Sequence, residues 1–171
     1  METKKRRNKL LELLHESKEP IIGSKLADKF NVSRQVIVQD VALLRARGEN
    51  ILATSQGYLL PGKEEKTVQA TIACQHLEDR VEDELMSIVN QGAKVIDVSV
   101  EHPLYGELTG MLMIQNPADV EEFMKNINNS NASLLAALTD GVHLHTIEAL
   151  NEMVIKRVKK VLKEKGYLLD K

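Results

Sequence analysis

The stretch Gly23–Leu60 reads GSKLADKFNVSRQVIVQDVALLRARGENILATSQGYLL, and its punctuation sets the architecture of the first third of the chain. Ser24 is expected to cap a helix over Lys25 to Phe30, with Leu26 and Phe30 four residues apart on one face. Asn31-Val32 leaves room only for a tight connection. Ser33 then caps a helix from Arg34 to about Arg47, with Val36, Ile37, Val41 and Leu44 facing inward and Gly48 ending it. Ile51-Leu52-Ala53 and Tyr58-Leu59-Leu60 are short apolar runs joined by Thr54-Ser55-Gln56-Gly57, which reads as a hairpin. Upstream, Leu10, Leu13 and Leu14 recur at helical spacing until Pro20 breaks the pattern. Three helices, the second and third on a very short turn, and then a hairpin make the order of a winged helix-turn-helix.

Charge divides the chain at the same place. Residues 1–62 hold 11 Lys and Arg against 7 Asp and Glu, whereas residues 63–171 hold 12 against 18, so a basic head (+4) precedes an acidic body (−6). That asymmetry points to a nucleic-acid-binding head on a different body. The length of 171 residues suits one ample domain or two small ones, and 43% hydrophobic with 28% charged residues is ordinary for a soluble protein. We expect a DNA-binding domain over residues 1–62 and a second domain over 66–171, joined by the polar segment from Pro61 to Lys66. No apolar run approaches the ~20 residues of a membrane span. The start of the chain leads into an amphipathic pattern rather than a signal-peptide core. The single cysteine, Cys74, rules out an internal disulfide and fits a reducing cytoplasm. It lies in an apolar alternating run and reads as a buried structural thiol rather than a nucleophile.

The head's chemistry follows from its geometry. In a winged helix the third helix enters the major groove with its N-terminal residues against base edges. Ser33, Arg34 and Gln35 lie there, and Val38 and Gln39 follow one turn on. Arg34 can grip guanine or a phosphate, and Gln35 or Gln39 can pair with adenine. Lys4, Lys5, Arg6, Arg7, Arg45 and Arg47 can contact phosphates, which gives affinity without sequence information. The plainer alternative is a solvated helix surface, or a winged helix that binds protein. The pattern LA..F.VSRQ...QD...LR..G, from Leu26 to Gly48, resembles the winged-helix head of biotin-repressor-type regulators, and the likeness runs from Gly23 to Leu60. Glu49-Asn50 makes the following turn slightly different from the commonest form.

In the body, Val68, Ala70, Ile72 and Cys74 alternate as a strand, and Leu77, Val81, Leu85, Ile88 and Val89 recur at helical spacing until Gly92. Val95 to His102 and Leu108 to Gln115 read as strands about a turn at Pro103 to Gly106. Asn116 caps a helix with Pro117 in its first position and Val120, Phe123, Met124 and Ile127 as its stripe. Ser133 to Leu138 fits helix and strand equally. A short strand after Gly141 and a helix ending at Gly166 complete the chain. Strand, helix, strand, strand, helix, strand, helix is the order of a ferredoxin-like α/β sandwich with an extra helix, so the fold class is α+β. The basic run from Lys156 to Lys165 reads as a solvated face that suits a helix C-terminus.

The candidate chemistry lies in Asp140-Gly141-Val142-His143-Leu144-His145. Residues i and i+2 of a strand point to one face, so His143 and His145 stand roughly 6–7 Å apart at their bases. That spacing suits two ligands of one ion, or two histidines on a solvated face. His76 falls where the first strand of the body ends, and Glu84 follows eight residues later. Eight residues of continuous helix span ~12 Å, so the two could share an ion only if the helix starts well after His76, near Arg80, with a bend before it. On spacing alone, Asp79 or Asp83 is an equal candidate for the carboxylate. Three imidazoles and a carboxylate suit Zn²⁺, Ni²⁺ or a similar divalent transition metal.

His76 with Glu84 eight residues on, EHPLYGEL from Glu101 to Leu108, and DGVHLHTIEAL from Asp140 to Leu150 resemble the three-histidine domain. In that family this domain follows a biotin-repressor-type winged helix, and some members are transcriptional repressors that respond to nicotinic acid. The resemblance covers nearly the whole chain. It implies metal ligands at His76, Glu84, His143 and His145, and an effector pocket to which His102 and Tyr105 contribute, although His102 equally suits a satisfied histidine at a strand end. It also implies a homodimer reading palindromic operator DNA, with nicotinic acid as co-repressor of NAD precursor synthesis or uptake. A regulator that senses another small carboxylate, or the metal itself, is the alternative. A metal-dependent enzyme using Glu84, Glu101 or Glu107 as base is disfavoured: four protein ligands resemble a filled site more than an open catalytic one, and no nucleophile constellation is present.

Overall fold

Leu10 and Leu14 of the first helix, α1 (Thr3–Glu16), are buried against Leu26 and Ala27 of α2 (Gly23–Phe30) and Ile37, Val41 and Leu44 of α3 (Arg34–Ala46). These positions recur three and four residues apart, so each helix presents one apolar stripe to a shared core. The computed structural model describes residues 2–62 and 66–170. Lys63, Glu64 and Glu65, half of the expected polar linker, lie outside the described residues. The chain divides into two units, residues 1–64 and 65–171.

In the first unit, Asn31 takes the left-handed conformation (φ 51°) at the end of α2, and only one residue separates it from Ser33, whose hydroxyl accepts the Val36 N–H and caps α3. Ser24 does not cap α2: the helix begins at Gly23, with Ile22 in the capping position. A hairpin follows, β1 (Leu52–Thr54) and β2 (Gly57–Leu59), in the register Leu52↔Leu59, Ala53↔Tyr58 and Thr54↔Gly57. Ile21 bridges to Tyr58, which ties this wing to the segment before α2. Gly57 makes that contact possible. Its φ is +123°, and a Cβ there would lie 2.4 Å from the Ile21 carbonyl oxygen. Gly57→Ala is therefore expected to destabilise the head by about 1–3 kcal/mol. Gly62→Ala, where nothing lies within 4 Å of the added carbon, is the matched control for thermal unfolding.

The second unit begins with β3 (Val68–Gln75), a single 3₁₀ turn (Glu78–Arg80) and α4 (Val81–Val89). The hairpin β4 (Lys94–His102) and β5 (Gly106–Ile114) leads to α5 (Pro117–Asn128), capped by the Asn116 side chain. The ambiguous segment is a second 3₁₀ turn (Leu135–Thr139), followed by β6 (Val142–Ala149) and α6 (Glu152–Glu164). Residues Ile72, Leu85, Ile88, Ile114, Val120, Ile147, Val158 and Leu162 bring one face of the sheet and all three helices into one core. The class and the element order are those expected from sequence.

The strand order is β3-β6-β4-β5, all antiparallel. In a ferredoxin-like sheet the third strand fills the gap between the first two; here the last strand, β6, fills it and β5 sits at the edge. β6 is thus flanked on both sides, and its buried positions His143, His145, Ile147 and Ala149 alternate with half-buried ones. The tail pairs along the outer edge of β3, where the Leu169 N–H donates to the Ala73 carbonyl and the Gln75 N–H to that of Tyr167. No helix among the described residues is long and apolar enough to cross a membrane.

Candidate metal centre and nucleic-acid interface

β6 aims His143 and His145 at the helices. From there both rings meet Glu84, in the first turn of α4, which His76, just past the end of β3, also contacts. The 3₁₀ turn breaks the path between His76 and Glu84, so α4 starts at Val81 and the eight-residue spacing closes to a contact. His76 Nε2 lies 2.6 Å from Glu84 Oε2, His143 Nε2 lies 3.1 Å from Oε1, and His145 Nε2 lies 3.4 Å from Oε2. Glu84 is 1% exposed and His143 and His145 are 3% exposed. The rings stand edge to face, with centroids 4.9 Å apart for His76–His143 and 4.8 Å for His143–His145.

Each imidazole is held from behind. Nδ1 of His76 lies 2.9 Å from the Leu77 carbonyl, that of His143 2.8 Å from Gly141, and that of His145 2.6 Å from Asp97. A carbonyl only accepts, so each Nδ1 carries the proton and each Nε2 is turned to the centre. The Asp97 carbonyl is placed by a register shift in β4 between Val95 and Asp97, and the Asp97 side chain accepts the Thr146 N–H. Gly141 (φ +85°) passes so close to His76 that a Cβ on it would lie 2.2 Å from the His76 carbonyl oxygen. Tyr167 stacks edge-on against His76 at 5.1 Å, and its hydroxyl donates to Asp83, which also pairs with Lys165.

The proton count of this cluster makes it a candidate cation site. Three neutral rings with protonated Nδ1 atoms would turn three lone pairs onto an anionic carboxylate in a buried site. Acceptors facing acceptors need protons or a metal ion between them. Without an ion, burial pushes the Glu84 carboxyl up, but hydrogen bonds from His143, His145 and His76 outweigh it and hold the group well below the usual carboxylate range. Burial likewise pushes His76 and His145 down, and contact with Glu84 overcomes it and raises both. Three imidazole nitrogens backed by carbonyls, plus one carboxylate, are a fitting donor set for Zn²⁺ or Ni²⁺.

One neighbour was not legible as part of the site. Cys74 is fully buried and pairs with His143 across the β3–β6 ladder; its thiol, a Glu84 oxygen and a His143 nitrogen lie within 4.8 Å of one another. Burial, and then the Glu84 charge, push the thiol up, so without an ion it stays protonated. No periodicity in residues 66–76 shows which strand lies opposite, so only the pairing reveals this proximity.

Above the four residues opens a cavity of about 240 Å³, walled by Val81, Leu85, Val98, Leu112, Phe123 and the Leu134–Ala137 segment. His76, Glu84, His143 and His145 form its polar end. His102 and Tyr105 do not line it. They sit at the β4–β5 turn with ring centroids 5.0 Å apart, and His102 Nδ1 accepts the Leu104 and Tyr105 N–H groups. His102 thus makes hydrogen bonds within its own turn, at the end of β4.

In the head, Ser33, Arg34, Gln35, Gln39 and Arg45 are exposed on α3 and Val38 is half-buried, while Ile37, Val41 and Leu44 face inward. Val36 is only half-buried, and Asp40 takes an inward place instead. Arg6 and Arg7 are not free phosphate ligands: Arg6 Nε lies 2.6 Å and Arg7 Nη1 3.5 Å from the buried Asp40 carboxylate. Lys4, Lys5 and Arg47 remain exposed.

Residues 6–59 match the HTH domain family and residues 69–171 match the 3H domain family. The chain is similar to the transcription repressor NadR of Bacillus subtilis (strain 168), with 47% identity over 167 residues, spanning 96% of this chain and 93% of that protein. It is also similar to the probable transcription repressor NiaR of Thermotoga maritima, with 41% identity over 161 residues, spanning 94% of this chain and 91% of that protein.

Proposed function

This chain belongs to the family of transcription repressors that join an HTH head to a 3H domain, and from that premise we propose that it is a DNA-binding repressor of genes for NAD precursor (niacin) synthesis or uptake, with nicotinic acid as co-repressor. It is not an enzyme: both similar proteins bear the names of repressors and the head is an HTH domain. The observation that carries the effector reading is the backed imidazole cluster at the polar end of an apolar cavity. His76, Glu84, His143 and His145 hold a divalent transition metal there, whose charge accepts a ring carboxylate. Val98, Leu112 and Phe123 face the flat apolar ring, and His102 and Tyr105 stand outside the cavity. A homodimer in the cytoplasm presents two α3 helices to a palindromic operator, and the effector favours the spacing that binds.

Thermal unfolding of the full chain with nicotinic acid, with nicotinamide and with neither, each before and after chelation, tests this. A ligand at ~100 times its dissociation constant adds ~2.7 kcal/mol to the folded state. A shift with the acid alone that chelation removes is the expected result. A shift that survives chelation would make the metal structural only, and no shift with the acid would remove nicotinic acid from the assignment.

For the head, Arg34→Ala is expected to cost about 1–3 kcal/mol of operator affinity and to relax preference at one base position. Arg45→Ala is expected to weaken all sequences alike and to flatten the salt dependence. Equal losses on operator and random DNA for Arg34→Ala would move it to the phosphate class.

A further inference from the structure

The core side of the metal centre carries one more metal-ligating atom. Cys74 stands directly opposite His143 in the antiparallel β3–β6 ladder, where paired Cβ atoms lie ~4.5–5.5 Å apart. Its sulfur shares a 4.8 Å cluster with Glu84 and His143. Cys74 is absent from the cavity wall that His76, Glu84, His143 and His145 line, so the sulfur approaches from the core and the effector side stays open. The next inward position of β3, Ile72, faces His145 and offers no donor. The separate sign of an ion here is the set of three buried imidazoles whose Nε2 atoms converge on one carboxylate.

We propose that Cys74 is a sulfur ligand of the ion held by His76, Glu84, His143 and His145, so that the donor set is three nitrogens, one oxygen and one sulfur. The inference rests on the metal reading given above. On ligation the S–H bond breaks, the sulfur lone pair goes to the ion and the proton leaves to solvent. A soft thiolate in the set shifts selectivity toward Zn²⁺, Co²⁺ and Ni²⁺ and away from Mg²⁺ and Mn²⁺.

The test is cobalt(II) titrated without oxygen into the chelated full-length protein, with uptake followed by equilibrium dialysis. A near-ultraviolet sulfur-to-cobalt charge-transfer band is expected in step with bound metal. In Cys74→Ser that band is lost while the visible cobalt bands persist, and zinc affinity falls ~10- to 100-fold. X-ray absorption at the zinc edge of the native protein is expected to show a sulfur neighbour at ~2.3 Å and decides the matter even where the variant fails to fold. Bound metal with only nitrogen and oxygen neighbours would overturn the role of Cys74 alone. No uptake of cobalt or zinc by the native protein would overturn the metal reading and this inference with it.

Discussion

Glu84→Ala is expected to weaken binding of zinc or nickel by at least ~100-fold and to abolish any effector response that chelation abolishes. Among the described residues, Glu84 alone is within hydrogen-bond reach of Nε2 of all three histidines, and it supplies the anion at the centre. Its removal leaves three imidazoles aimed at a hole. The variant should also abolish a zinc-dependent difference in pH dependence. In the metal-free protein the depressed Glu84 carboxyl adds stability above its ordinary value of 4.5, which is lost as pH falls through its folded value. The raised His76 and His145 add stability below 6.5, which is lost as pH rises through their folded values. The chelated native protein is therefore most stable between 4.5 and 6.5 and weakens above that window. With zinc the slope turns over, because ligation displaces the histidine protons and strengthens as pH rises. Thermal midpoints across that range, with zinc and with chelator, should diverge for the native protein and run together for Glu84→Ala. Unchanged zinc affinity in the variant would remove Glu84 from the centre.

Gly141→Ala is expected to cost at least ~3 kcal/mol of stability in the second unit and to lower metal affinity ~10- to 100-fold. Two of the proposed ligands, His76 and His143, depend on this one backbone position. The new Cβ would meet backbone atoms of His76 at 2.2, 2.9 and 3.3 Å, which no side-chain rotation relieves. The Gly141 carbonyl also accepts from His143 Nδ1, so a displaced strand start misaims that ring as well. Positive φ alone does not account for the expected loss. Gly166 has φ +76° and nothing within 4 Å of its added carbon, so Gly166→Ala should cost only the ~1–2 kcal/mol of a left-handed alanine and leave metal binding intact. Equal behaviour of the two variants in zinc titration and thermal unfolding would show that the close approach at His76 is not needed.

Much of this protein was legible without coordinates. Leu10 with Leu14, and Ile37, Val41 and Leu44, mark helical stripes that do bury. Ser33 and Asn116 cap the helices they precede, and the alternation from His143 to Ala149 is a strand with both histidines on its buried face. Such signals act between residues one to four apart, where helix and strand geometry is decided, so residue types alone carry them. Helix rise and the eight-residue gap also showed that His76 and Glu84 could meet only if the helix started well after His76, near Arg80, and α4 starts at Val81.

The tertiary structure decided everything that depends on distant pairing. The placement of β6 between β3 and β4, the pairing of Arg6 and Arg7 with Asp40, the local role of His102 and the position of Cys74 opposite His143 have no short-range signature. Arg6 looked like a phosphate contact because composition cannot show that its helix turns it onto a buried aspartate 34 residues away. Cys74 looked like ordinary core because a strand's alternation tells which face a side chain takes and not what stands across from it. Strand order is set when the whole sheet closes over one core, and neighbours made by that closure are properties of the packed chain rather than of any segment of it.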